Sequence, residues 1–217
     1  MSEQNASAPL LQAVDLYCER DDRILFQGLG CSIVPGTLTR VEGPNGSGKT
    51  TLLRILAGLH GGFEGEVLWR GESRDASRES FLRNLLYIGH RPGVKALLTP
   101  LENLRALMSG RRELDDARLV DALERSGLSG FTDIPCQHLS AGQTRRVALA
   151  RLVLSDEPLW ILDEAFTAID HDGVAGLEQL LASRVAQGGA VIVTTHHALA
   201  LPGMRRIRLG QESHCEF

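Results

Sequence analysis

Gly43-Pro44-Asn45-Gly46-Ser47-Gly48-Lys49-Thr50 fits the pattern G-x-x-x-x-G-K-[ST], a loop whose backbone N–H groups cradle phosphates. Gly43, Gly46 and Gly48 let the chain curl tightly and approach an anion without a Cβ in the way. The N–H groups then point inward as a nest, and a helix starting near Lys49 turns its positive end to the same point. Lys49 supplies a mobile charge for β- and γ-phosphates, and Thr50 a hydroxyl for Mg²⁺, which binds through few protein oxygens. A second candidate group, Asp163-Glu164, ends the apolar run Leu159-Trp160-Ile161-Leu162. Asp163 is expected to hold Mg²⁺ through water, and Glu164 to polarise an attacking water as general base. The chemistry these residues suit together is nucleoside triphosphate hydrolysis.

Such groups need rigid elements behind them. Residues 38–41 read as a strand before the loop and 51–58 as a helix after it, closed by Gly58 at its C-cap. The uninterrupted run 159–162 suits a strand buried on both faces of a parallel sheet, whose C-terminal end is where open α/β sheets bind ligands. Residues 190–194 and 205–209 complete that strand set. From 10 to about 41, and again at 65–70, the chain reads as a β-rich subdomain. Residues 91–155 read as helical: Thr99-Pro100-Leu101-Glu102 has an N-cap, proline at N1 and glutamate at N3, and 115–126 follows, stopped by Gly127. A further helix over 172–187 ends at Gly188-Gly189.

Leu139-Ser140-Ala141-Gly142-Gln143 then gives the L-S-x-G-Q signature of one family of phosphate-loop proteins. Along nearly its whole length the chain resembles the nucleotide-binding subunits of ATP-binding cassette transporters. Residues 43–51, through Thr51, look like Walker A, 159–164 like Walker B, and Ala168-Ile169-Asp170 like the D-loop. His196, after the apolar run Val191-Ile192-Val193, looks like the switch histidine, and His197 is read as structural. The resemblance implies an α/β P-loop NTPase fold: a RecA-like, mostly parallel sheet in 10–90 and 156–217, an antiparallel β subdomain, and the inserted helical subdomain at 91–155, all one ATPase domain. It implies ATP and Mg²⁺ as ligands. Two copies would pair head to tail, so that Ser140, Gly142 and Gln143, at the start of a helix over 141–154, cover the partner's γ-phosphate while His196 and Glu164 hold the water. Two departures stand out. His90 occupies the place of the Q-loop glutamine, and an imidazole titrates near neutral pH where an amide does not. Arg20, with Tyr17 nearby, falls where an aromatic residue usually stacks on adenine. Glu42-Gly43 and Tyr87-Ile88-Gly89-His90-Arg91-Pro92-Gly93 are similar to the ATPase of bacterial cytochrome c maturation, described as a haem exporter. That likeness implies a CcmB-type multispanning membrane subunit as partner and a peripheral place on the cytoplasmic face of the inner membrane. The energy would drive haem export or release of a haem-carrying chaperone.

Composition narrows the alternatives. The chain has 217 residues, 43% of them hydrophobic, and a net charge of −4 from 23 basic and 27 acidic side chains. That balance speaks against a nucleic-acid surface. No run reaches the roughly 20 apolar residues of a membrane span, and residues 1–9 read as a disordered leader with no signal peptide. After Leu209 only a short tail is expected, with no regulatory domain. Cys18, Cys31, Cys136 and Cys215 are scattered, so neither zinc nor covalent haem is expected. Arg74, Arg78 and Arg83, interleaved with Asp75 and Glu79, read as a solvated face, as do Arg145 and Arg146. A transporter ATPase for another small substrate is the alternative. A mechanical ATPase of DNA repair lacks its coiled-coil insertion here, a translation ATPase lacks its second cassette, and a P-loop kinase has no use for the signature.

Overall fold

The computed structural model describes residues 8–110, 114–199, 201, 203–210 and 214–216. The leader expected at 1–9 lies outside them except for Ala8 and Pro9. In chain order the elements are β1 (Leu11–Arg20), β2 (Arg23–Ile33), β3 (Leu38–Glu42), α1 (Lys49–Leu56), β4 (Glu64–Trp69), β5 (Glu72–Ser73), α2 (Arg78–Arg83) and β6 (Leu85–Ile88). Then come α3 (Pro100–Met108), α4 (Asp116–Arg125), α5 (Ala141–Leu154), β7 (Leu159–Asp163), α6 (His171–Ala186), β8 (Ala190–Thr194), β9 (Arg205–Arg208) and β10 (His214–Glu216).

The strands form two sheets, ordered β2-β1-β4-β5 and β10-β9-β3-β8-β7-β6. The first is antiparallel, and β1 buries Leu11 and Ala13 and, past a register shift, Leu16 and Cys18. In the second, β7, β8, β3 and β9 run parallel and β10 closes the edge antiparallel. Strands β7 and β8 are buried along their whole length, as expected for central parallel strands covered on both faces. The parallel-sheet P-loop architecture is therefore as expected, with one correction. Strand β3 does not belong to the antiparallel subdomain spanning 10–41 but lies between β8 and β9. Its consecutive Leu38 and Thr39 are both buried, which suits a central strand better than a one-sided one.

The chain divides into two compact units. The first runs through Tyr87 and takes in Glu157–Asp163 and the chain from Leu181 onward, so it holds both sheets and α1. Its core gathers Leu52, Leu53, Ile55 and Leu56 of α1 with Phe26, Trp69 and Phe81. Arg74 is part of this packing, not of a solvated face: it is buried, donates from Nη1 to the Ile55 carbonyl and pairs with Asp75 at 2.8 Å. A guanidinium here satisfies a carbonyl in the last turn of α1, the negative end of that helix. Arg83 and Glu79 do form an exposed pair at 2.6 Å.

The second unit comprises Ile88–Asp156 and Glu164–Leu180, so beyond the expected 91–155 it includes the start of α6. Leu104, Met108, Leu119, Leu123, Val147 and Ala150 form its core. Helices α3, α4 and α5 each start on a side-chain cap. Thr99 and Glu102 cap α3 reciprocally, Asp115 accepts from the Arg118 N–H for α4, and Ser140 and Gln143 cap α5 reciprocally. Asn103, buried in α3, accepts the Lys95 N–H at 2.7 Å and donates to the carbonyls of Lys95, Leu98 and Thr99, fixing the chain ahead of the helix.

Candidate functional site

In the first unit, β3 ends in the phosphate loop and α1 leaves it. Gly43, Gly46 and Gly48 have φ of 150°, 79° and 95°, a region that side chains resist. A Cβ on Gly43 would stand 2.5 Å from the Leu209 carbonyl and 2.6 Å from Ser47 Oγ, so no other residue fits there. Unlike α3, α4 and α5, α1 starts on a residue with no side chain, Gly48, and unlike α3 and α4 it has no acidic residue in its first turn. Its leading N–H groups are thus left to an external anion. Lys49 Nζ donates to the carbonyls of Gly43 at 2.7 Å and Pro44 at 3.0 Å, which lays the ammonium across the loop. Pro44, Asn45 and Gly46 are exposed, Ser47 is buried, and Thr50 and Thr51 lie in the first turn of α1.

Asp163 ends β7 with 1% of its surface exposed. Its Oδ1 accepts from Thr194 Oγ1 at 2.7 Å and from Thr50 Oγ1 at 3.3 Å. The structure therefore brings Asp163 and the loop together. A carboxylate and a hydroxyl are hard oxygen donors and fit the modest protein share of a Mg²⁺ shell. Thr194, register partner of Asp163 across β7 and β8, escaped sequence reasoning. Its signal was a hydroxyl closing a run of apolar residues. His196 follows β8 on an exposed turn.

Beside the loop lies a cleft of about 500 Å3 lined by Arg23, Ile24, Leu25, Pro44, Gly46 and Ser47, with Gly210. Arg20 and Tyr17, the residues expected near the base, do not line it. Arg20 is exposed and pairs with Asp21 at 3.3 Å. Tyr17 faces a different pocket with Asp15 and Glu64, and its hydroxyl, donating to Glu19 at 2.6 Å, is held above its usual pKa by that carboxylate. Arg23, across the hairpin turn, is the guanidinium near the loop: its Nη1 lies 3.9 Å from where a Cβ on Gly46 would be.

In the second unit, Ser140 Oγ accepts the Gln143 N–H at 3.1 Å and Gln143 Oε1 accepts the Ser140 N–H at 2.9 Å. This reciprocal cap gives Gln143 a structural task at the start of α5. A Cβ on Gly142 would meet the Ala168 carbonyl at 2.5 Å, so the signature glycine is required by the segment after β7. Glu164 is half-buried with φ of 52°, and Ala168 has φ of 62°; a non-glycine residue held there is strained, a common feature of functional turns. His90 is exposed, and its carbonyl and that of Gly89 accept from Arg145 Nη1 at 3.3 and 2.9 Å. Arg145 is buried, so it does not lie on the solvated face expected for it, while Arg146 pairs with the exposed Asp170 at 2.5 Å. The thiols of Cys18 and Cys136 are buried, which raises their pKa. The side chain of Cys215 lies outside the described residues. Among the described residues no helix is long and apolar enough to cross a membrane.

Residues 26–167 match the family profile described as ABC transporter. The chain is 58% identical over 206 residues to the cytochrome c biogenesis ATP-binding export protein CcmA of Hahella chejuensis, covering 94% of this chain and 98% of that one. It is 52% identical to the protein of the same name from Pseudomonas fluorescens, at the same coverage. Among solved structures it is similar to a dimeric ATP-binding cassette in a post-hydrolysis state bound to ADP and Pi. There the TM-score is 0.79 and the identity 25%, over 95% of this chain and 97% of that one.

Proposed function

The chain belongs to the ABC transporter family, and from that premise we propose that it is the ATP-hydrolysing subunit of a membrane complex for cytochrome c biogenesis. The observation that carries the ATP reading is a phosphate loop running into a helix with no cap of its own, beside a buried Asp163 that two threonine hydroxyls address. The N–H groups of the loop and of α1 bind the β- and γ-phosphates, and Lys49 turns from the Gly43 and Pro44 carbonyls toward them. Thr50 and Asp163 hold Mg²⁺, which supplies counter-charge to those phosphates. The cleft at Arg23 and Ile24 takes the base and ribose. Glu164 accepts the proton of the attacking water, and His196 contacts the γ-phosphate.

A second copy completes the site in this reading. Its Ser140, Gly142 and Gln143 stand at the start of α5, whose positive end suits the γ-phosphate. Loss of that phosphate on hydrolysis removes the bridge and lets the copies part, a switch by order and release. His90, carried on the segment held by Arg145, offers an imidazole where the family has an amide and would act on the water or the metal. The names of the relatives support a role in export for cytochrome c biogenesis; in this reading the subunit sits peripherally on the cytoplasmic side of a bacterial inner membrane, attached to a CcmB-type multispanning partner. Its turnover drives haem export or the release of a haem-loaded chaperone.

Lys49→Ala tests both levels at once. The purified variant should lose at least about tenfold in MgATP affinity, and cells carrying it as their only copy should lack c-type cytochromes. Retained ATP affinity would overturn the phosphate-loop assignment. Normal cytochrome content in cells whose chain no longer binds ATP would overturn the pathway.

A further inference from the structure

Strand β3, which delivers Gly43 to the phosphate loop, carries Arg40 and Glu42 two residues apart and so on one face. The Arg40 side chain is only 19% exposed. Its Nε lies 3.3 Å from Glu42 Oε1, and its Nη2 donates to the Thr195 carbonyl at 3.1 Å. Glu42 is held from the other side as well, by Arg206 Nε at 3.3 Å and Arg208 Nε at 3.9 Å. The carboxylate that anchors Arg40 is therefore itself anchored.

At the far end of the link, Thr195 is buried and its Oγ1 accepts the His197 N–H at 2.9 Å. These two bonds act on the two peptide planes that flank His196. The Thr195 carbonyl belongs to the plane before it, and the His197 N–H to the plane after it. Peptide units are rigid, so fixing both planes fixes φ and ψ of His196 and with them the direction of its Cα–Cβ bond. The imidazole is exposed, yet its backbone is held at both sides.

We infer that Arg40 is a positioning residue for His196, tying the turn that bears the imidazole to the strand that delivers the phosphate loop. The inference rests on the reading of His196 as a γ-phosphate contact. Keeping its charge 3.3 Å from a carboxylate while Nη2 donates to a carbonyl uses the delocalised, planar guanidinium, a geometry an ammonium lacks. Sequence alone hides this residue. Arg40 sits three places before a recognised motif and its acceptor is 155 positions away.

A double-mutant cycle on the full chain tests it, with Arg40→Met, His196→Ala and the pair, and with kcat and MgATP affinity measured separately. Arg40→Met should lower kcat by about tenfold or more while MgATP affinity stays within about threefold, and it should slow His196→Ala no further. Arg40→Lys should recover little of the loss. Thr195→Val releases the other plane and gives an independent second variant. It should show the same kcat-only defect, again absent in the His196→Ala background. Multiplying losses in the double variants, or a fall in affinity equal to the fall in kcat, would overturn the inference and leave Arg40 a merely structural residue. Normal turnover by His196→Ala alone, with Arg40 intact, would remove the γ-phosphate role first, and that outcome is read separately from the others.

Discussion

Asp170 Oδ1 accepts the Gly173 N–H at 2.9 Å and Arg146 Nη2 at 2.5 Å, and these donors, the backbone one foremost, hold its carboxyl below the usual carboxylate range. The direction fixes the sign of a pH effect. A carboxyl whose folded pKa is depressed adds stability that is fully present above the unfolded value, about 3.9, and lost as pH falls through the folded value. The contact is solvent-exposed, so the expected signature is a difference in slope between two titrations. Between about pH 5 and pH 3, Asp170→Asn should lose less melting temperature than the wild type, because the variant has no such proton to take up. Parallel melting curves across that range would count against the Gly173 and Arg146 contacts. Asp170 also shows how a motif residue carries local work. It caps the start of α6 through Gly173 while tethering the signature helix through Arg146.

Helix α5 concentrates the same point at the level of an element. Its N-cap residue is fixed by the reciprocal Ser140–Gln143 cap and its second residue, Gly142, by the Ala168 carbonyl, so the end proposed to face a partner's nucleotide is held rigid before any ligand arrives. Ser140→Arg should cut turnover by roughly two orders of magnitude while nucleotide affinity of the single chain is spared. Ser140→Ala, which costs the cap about 1 kcal/mol but adds no bulk, should cut it far less. Equal effects of the two would show that only the cap matters. The span of α5, the start of α3 at Thr99 and the buried strands β7 and β8 were all legible in the sequence. Caps are local signals, and unbroken apolar runs state burial on two faces. What sequence could not state was anything decided across distance. The sheet that receives β3 depends on β8 and β9, far along the chain. Arg74 and Arg145 read as solvated because their carbonyl acceptors, at Ile55 and Gly89, leave no mark beside them. That Arg23 and not Arg20 lines the cleft beside the loop follows from which strand of a hairpin faces it.

For the whole molecule, the proposed cycle needs two copies, and the family resemblance in structure extends to cassettes solved as dimers. Glu164→Gln keeps the shape of the side chain but removes the base. In MgATP it should accumulate as a dimer of twice the 23.6 kDa chain mass, seen by light scattering, while the wild type returns to monomer as it turns over. A monomeric variant with bound ATP would exclude a shared site. The helical unit contains one further constraint on how such a molecule can move. Asn103 grips both ends of residues 95–99, and Leu97 on that stretch is 79% exposed. Leu97 thus stands exposed on a stretch tied at both ends to a single side chain of α3, so its backbone and the helix are joined as one piece.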